Sequence, residues 1–247
     1  MSSLLSVTGL VKRFGGLLAT DHFGLELPRG ELHALIGPNG AGKTTLMCQL
    51  TGELQPDAGD IRFDGASIVG WTVPRRALGG IARSYQITQL LKGFSVLQNV
   101  VLMVQARLGH SFRLWKPVLR ERELVRPAME ALERVGLAHR AHDDVSALAH
   151  GEHRQLELAM ALAMQPRLLL LDEPLAGMSQ AESATMIDLL QRLKRQYTIL
   201  LVEHDMQAVF SLADRISVLV YGKAIACGAP SGIQADPAVR RAYLGDE

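Results

Sequence analysis

The chain reads as an α/β fold in which a parallel sheet is interrupted by a block of helices. Two observations carry that reading. Short runs, apolar but for His33, at Leu32–Ile36 and 168–171 are what parallel strands buried on both faces require. From about Ser95 to Met164 helical spacing takes over and strand signals vanish, after which strand and helix alternate again.

Taken in order, residues 4–11 and 19–27 are two early strands, with KRFGG between them as a turn. Leu32–Ile36 is the first buried strand and feeds a helix over 43–54, stopped by Pro56. Residues 60–64 and 81–85 are further strands. Helices follow at 95–107 and 119–135, the second ending at Gly136, with the Gly/Pro-bounded loop GHSFRLWKP between them. A third helix spans 151–164 and is broken by Pro166. Then come a strand at 168–171, a helix over 180–195 and a strand at Thr198–Val202. Residues 215–221 and 223–226 form a hairpin around Gly222, and 236–243 a short terminal helix.

Composition narrows the class. Of 247 residues, 48% are hydrophobic, enough for a sizeable core, so disorder is set aside. Net charge is +1, without the basic excess or stripe of a protein held on nucleic acid, so none is expected as a partner. Cys48 and Cys227 form no CxxC and read as small apolar residues in a reducing compartment. No apolar stretch follows a basic start, so no secretory signal is expected. The apolar runs fall far short of the roughly 20 residues that span a bilayer. The chain is expected to be soluble, with any membrane role reached through a partner.

The chemistry concentrates at three strand ends. Gly37 to Thr44 reads G-x-x-x-x-G-K-[ST], in the required setting of strand before and helix after. Gly37, Gly40 and Gly42 permit turns and close approaches that a Cβ blocks. With Pro38, Asn39, Ala41 and Thr45 they form a loop whose N–H groups cradle phosphates at a helix N-terminus. Lys43 adds a mobile charge for the β/γ-phosphates, and the Thr44 hydroxyl a ligand for Mg²⁺. A nucleoside triphosphate is the expected ligand.

LLLLDEP, 168–174, delivers Asp172 and Glu173 to the carboxyl edge of a sheet, where ligands bind in open α/β folds. Asp172 suits Mg²⁺, and Glu173 suits polarising the water that attacks the γ-phosphate. His204, after the run Thr198–Val202, is placed to reach the same phosphate. Gln86 ends the strand at 81–85 and suits contact with Mg²⁺ or water. Phe14, upstream of the phosphate loop, either stacks on a base or packs on the first strands. The pairs His139/His142 and His150/His153 lack the thiolates or spacing of a metal site and read as solvated residues.

Phe14, GPNGAGKTT, Gln86, a glycine-containing turn before the helix at Gly151, LLLLDEP and EHD occur in one fixed order. Together they resemble the ATP-binding subunit of ABC transporters, over almost the whole chain. ARSYQITQLLKGFSVLQNV, FRLWKP, LLVEHDM and the tail RRAYLGDE look closest to the LivG-type cassette of branched-chain (hydrophobic) amino acid importers. The resemblance implies a P-loop NTPase with a RecA-like parallel sheet core, an N-terminal antiparallel β subdomain and a helical subdomain insertion. It implies one ABC ATPase domain over 1–247. Residues 1–94 and 165–235 would be its nucleotide-binding core, 95–164 its helical signature subdomain and 236–247 a C-terminal tail.

In that family two cassettes face head to tail and sandwich two ATP molecules, each site joining one P-loop to the other subunit's signature turn. By the match, Phe14 would stack on adenine and Gly37 through Thr45 would hold the phosphates. Thr44, Gln86 and Asp172 would serve Mg²⁺, Glu173 would be the general base, and His204 the γ-phosphate sensor. The helical section after Gln86 would hold the coupling helix of a membrane subunit. The implied partners are a second cassette (a copy or a paralogue), two permease subunits and, indirectly, a periplasmic solute-binding protein. The implied place is the cytoplasmic face of a bacterial inner membrane.

Two departures matter. The family signature begins LSGGQ, whereas this chain has Leu148, Ala149, His150, Gly151 and Glu152. Gly151 keeps its N–H for phosphate, but Ala149 lacks the serine hydroxyl, a contact worth roughly 1.5–3 kcal/mol to a charged group. Ser179, in LAGMS, stands where the family's D-loop has aspartate. Two other classes compete with an ATPase that powers amino acid import. One is an ABC-type ATPase without a transporter, acting on ribosomes or in DNA repair; such proteins usually carry two cassettes in one chain or a long coiled-coil insertion. The other is a nucleotide-holding, weakly catalytic partner cassette, which the two departures favour. Urea, amides and aromatic acids use look-alike importers.

Overall fold

The computed structural model describes residues 3–84, 90–109 and 118–244. Strands β1 (Ser3–Phe14) and β2 (Leu17–Pro28) run antiparallel, with Phe14 opposite Leu17. The turn is therefore shorter than KRFGG: Lys12, Arg13 and Phe14 stay in β1, and only Gly15 and Gly16 connect. Two glycines suffice, because a two-residue hairpin loop needs positive φ, and Gly15 has φ 57°. Strands β4 (Ala58–Phe63) and β5 (Ala66–Ser67) extend this sheet in the order β2-β1-β4-β5.

The second sheet holds β3 (Leu32–Ile36), β6 (Ile81–Ser84), β7 (Leu168–Asp172), β8 (Thr198–Val202), β9 (Arg215–Val220) and β10 (Lys223–Gly228). Its order is β10-β9-β3-β8-β7-β6, parallel except for the edge hairpin β9–β10. Every residue of β3, β7 and β8 is buried. Alternate side chains divide between two cores, as a strand's period of two dictates. Leu32, Ala34, Leu169, Leu171, Ile199 and Leu201 face helices α3 (Val96–Leu108), α4 (Arg122–Val135), α5 (His150–Ala163), α6 (Gln180–Leu193) and α7 (Met206–Leu212). Leu35, Leu168, Leu170 and Leu200 face α1 (Lys43–Thr51) and the antiparallel sheet. Each leucine so buried contributes about 1.5–3 kcal/mol.

Helices α3, α4 and α5 pack on one another. Ser95 caps α3 by accepting from the Gln98 N–H at 3.2 Å while the Gln98 side chain accepts from the Ser95 N–H at 2.7 Å. Helix α1 stops at Thr51, short of 54, because Gly52 takes a left-handed φ of 85°. A short helix unforeseen in the sequence, α2 (Val73–Leu78), completes that end. Its Arg76 is 1% exposed and donates to the carbonyls of Gln49 at 2.6 Å and Leu50 at 2.8 Å, the acceptors a helix C-terminus leaves over. α4 begins at Arg122, since 118–120 form a 3₁₀ turn. The helices α7 and α8 (Pro230–Ala235) are likewise too short for sequence periodicity to show, and α9 (Pro237–Leu244) closes the described residues. Most of the GHSFRLWKP loop lies outside them.

Candidate nucleotide-binding and hydrolysis site

The phosphate loop leaves β3 and enters α1 under tight steric control. A Cβ on Gly37 would lie 2.1 Å from the Leu219 carbonyl oxygen, and one on Gly42 would lie 2.2 Å from that of Ala19. Gly42 also has φ 106°. Both positions exclude every other residue. Helix α1 has neither a side-chain cap nor an acidic residue in its first turn, so its N-terminal amides are open to an anion. Thr44 is exposed on that turn.

Lys43 is 7% exposed, and its Nζ donates to the carbonyls of Gly37 at 2.6 Å and Pro38 at 3.1 Å. Burial pushes its ammonium below the usual lysine range, while Glu173 and Asp172 pull it back up. The loop, the lysine and the acidic pair therefore share one electrostatic neighbourhood. Asp172 ends β7 and is 3% exposed. Its Oδ2 accepts from Arg83 Nη2 at 2.7 Å, and the same guanidinium reaches Glu53 at 3.3 Å. Arg83 carries no motif in the sequence; it is the residue that gives this buried carboxylate an ion-pair partner.

Glu173 has a positive φ of 51°, unusual for a side chain larger than glycine, and its N–H donates to Val202 at 2.8 Å. This turns its carboxylate to His204, whose Nε2 lies 3.2 Å from Oε2. The acid and the histidine, predicted separately, meet here. A second residue unforeseen in the sequence, Glu203, builds the corner beneath them. Its carboxylate is buried and accepts from the amides of Leu175, at 2.9 Å, and His204, at 2.9 Å. Asp205 then caps α7 through the amides of Gln207 and Ala208. Phe14 is 49% exposed at the end of β1, with Lys12 5.8 Å from its ring centre. Gln86 lies outside the described residues.

The signature turn is differently occupied. Ala149 offers no side-chain acceptor, so only half a capping box forms: Glu152 accepts the Ala149 N–H at 2.8 Å and is itself held by Arg140. His150 Nε2 sits 3.2 Å from the Ala176 carbonyl, and His153 Nε2 2.9 Å from that of Val145. The Gly151 N–H donates to Glu182 Oε1 at 2.9 Å. Ser179 caps α6 and gives both its N–H and its hydroxyl to Glu182 Oε2.

The two cysteines differ. Cys48 is half-buried and burial pushes its thiol up, but Cys227 on β10 is exposed, so the apolar reading fails for it. His33 beside it pulls that thiol down to about 6. Elsewhere, an apolar groove of about 230 Å³ separates α2 and β6 from α3 and α5, lined by Val73, Arg76, Met103, Met160 and Met164, with Thr51, Arg83 and Glu157 among its polar edges. No helix among the described residues is long and apolar enough to cross a membrane.

Comparison with known proteins agrees with this geometry. A family model described as ABC transporter matches residues 20–176, and one described as branched-chain amino acid ATP-binding cassette transporter matches 225–247. The high-affinity branched-chain amino acid transport ATP-binding protein BraF of Pseudomonas aeruginosa is 39% identical, across 98% of both chains. LivG of Escherichia coli, named for the same transport, is likewise 39% identical across 98% of both. Among solved structures, a nucleotide-free ATP-binding cassette from an ABC transporter superposes with a TM-score of 0.88 at 29% identity, covering 99% of this chain and 100% of that one. The ADP conformation of such a cassette gives 0.88 at 28%, covering 100% of each chain.

Proposed function

This chain belongs to the ATP-binding cassettes of ABC transporters, and we propose that it is the ATPase subunit of an importer of branched-chain amino acids. The observation that carries the reading is the meeting of Glu173 and His204 at 3.2 Å beside the Lys43 loop. The donor set fits Mg-ATP: a glycine loop that admits no Cβ at two positions, an uncapped helix N-terminus, a hydroxyl at Thr44 and a carboxylate at Asp172. Thr44 and Asp172 would hold Mg²⁺, which would offset the negative charge of the phosphates.

The chain's own residues then divide the work. Lys43 and the α1 amides hold the phosphates, and Phe14 stacks on the adenine. Glu173 accepts the proton of the attacking water, while His204, aligned by Glu203, holds the Glu173 carboxylate and reports on the γ-phosphate. Gln86 joins Thr44 and Asp172 toward Mg²⁺. The fold divides functionally into a nucleotide core (1–94 and 165–235), a signature subdomain (95–164) and a tail (236–247). A second cassette, a copy or a paralogue, supplies the facing signature turn. Permease subunits at the cytoplasmic face of the inner membrane seat a helix in the groove beside Met103 and Met160. A weakly catalytic partner cassette is the second reading, favoured by Ala149, Ser179 and the occupied Gly151 amide.

Replacing Glu173 by Gln in the assembled transporter separates the two. A fall of about 10²–10⁴ in steady-state turnover with Mg-ATP binding retained is the expected outcome. Unchanged turnover would assign hydrolysis to the other cassette.

A further inference from the structure

The amide of Gly151 is the donor that the signature turn would offer to a γ-phosphate held by a facing subunit. In this chain it already has an anion. Glu182 Oε1 accepts from it at 2.9 Å, while Glu182 Oε2 takes the Ser179 N–H at 2.9 Å and its hydroxyl at 2.7 Å. Three donors converge on one partly exposed carboxylate, and those from Ser179 and Gly151 hold its carboxyl down to about 2. It is an anion at any physiological pH.

The fit is close. A Cβ on Gly151 would meet Glu182 Oε1 at 2.9 Å, so the carboxylate lies directly against the turn. Ala149 has no hydroxyl, its amide is spent on Glu152, and His150 is turned to the Ala176 carbonyl. A carboxylate oxygen and a phosphate oxygen ask the same of an N–H, and one N–H cannot serve both well. Two anions at that point also repel.

We propose that Glu182 is an internal stand-in for the γ-phosphate, which must leave Gly151 before the signature turn closes on the nucleotide of a facing cassette. Glu182 thereby sets the ATP concentration at which the composite site forms. Ser179 is its anchor: by holding Oε2 it keeps the carboxylate beside the turn. The proposal rests on the reading of this chain as one of a pair of ATP-binding cassettes.

The test uses the assembled transporter, with Glu182→Ala and Glu182→Gln in this chain alone. Removing a charged competitor for one hydrogen bond should lower the ATP concentration for half-maximal turnover roughly tenfold for Ala, and less for Gln. ATP affinity of the isolated chain, which reads its own Lys43 loop, should stay constant. A half-saturating concentration that is unchanged or higher in both variants overturns the proposal. So does a parallel loss of ATP affinity in the isolated chain, which marks a merely structural role. Should Glu182→Ala misfold through loss of the α6 cap, the isosteric Gln variant decides alone. Failure of the unsubstituted isolated chain to retain Mg-ATP would instead remove the parent reading.

Discussion

The chain's own half of the nucleotide site and the half it presents to a facing subunit are built on opposite terms. In the first, anion-binding groups wait on neutral partners: Lys43 rests on two carbonyls and the α1 amides carry no cap. In the second, the Gly151 amide is already satisfied by a full charge on Glu182. One half is open to phosphate, whereas the other must surrender a contact to receive it. On the proposed reading, control over assembly of the site would belong to the turn at residues 148–152, and grip on the nucleotide to the loop at 37–45.

The largest test of that contrast removes the buried anchor of the open half. Asp172→Ala takes from the buried Arg83 its shortest carboxylate contact and leaves the longer ones to Glu53 and the Cys48 sulfur, so stability in urea should fall by about 3–5 kcal/mol. Adding Arg83→Met should return much of it. If Asp172→Ala costs nothing, the carboxylate is held by something other than this pair.

Ala149→Ser works on the closed half. A hydroxyl there can cap α5 and can reach a facing phosphate, a contact of roughly 1.5–3 kcal/mol. The ATP needed for half-maximal turnover of the transporter should fall about tenfold. A rise in melting temperature alone would show the hydroxyl serving only the helix.

The smallest expected change is at the rim. Phe14→Ala should weaken ATP binding by the isolated chain by about 1–3 kcal/mol, the range of a base on an aromatic ring. Equal affinity would mean that Phe14 merely shields β1 and pairs with Lys12.

The strands and the groups at their ends were legible because burial on both faces leaves a nearly unbroken apolar run before each polar tip. Leu32–Ile36, 168–172 and Thr198–Val202 show it. What escaped was support that pattern does not encode. α2 is six residues long and opens on a proline, too short for periodicity to register. Glu203 sits beside His204 in the motif but works inward, on backbone amides. Arg83 and Glu182 become meaningful only when strands and helices distant in sequence meet. Cys227 looked apolar because exposure at a sheet edge cannot be read from one residue.

Arg76 gives α1 a property that none of its own residues supply. Its guanidinium closes the tail of the helix, and Thr51 and Arg76 both border the methionine-lined groove. The head of the same rod, roughly 13 Å away for nine residues, carries the glycine loop and Lys43. On the proposed reading, a push delivered at the groove would have a rigid lever to act on, about two and a half turns long.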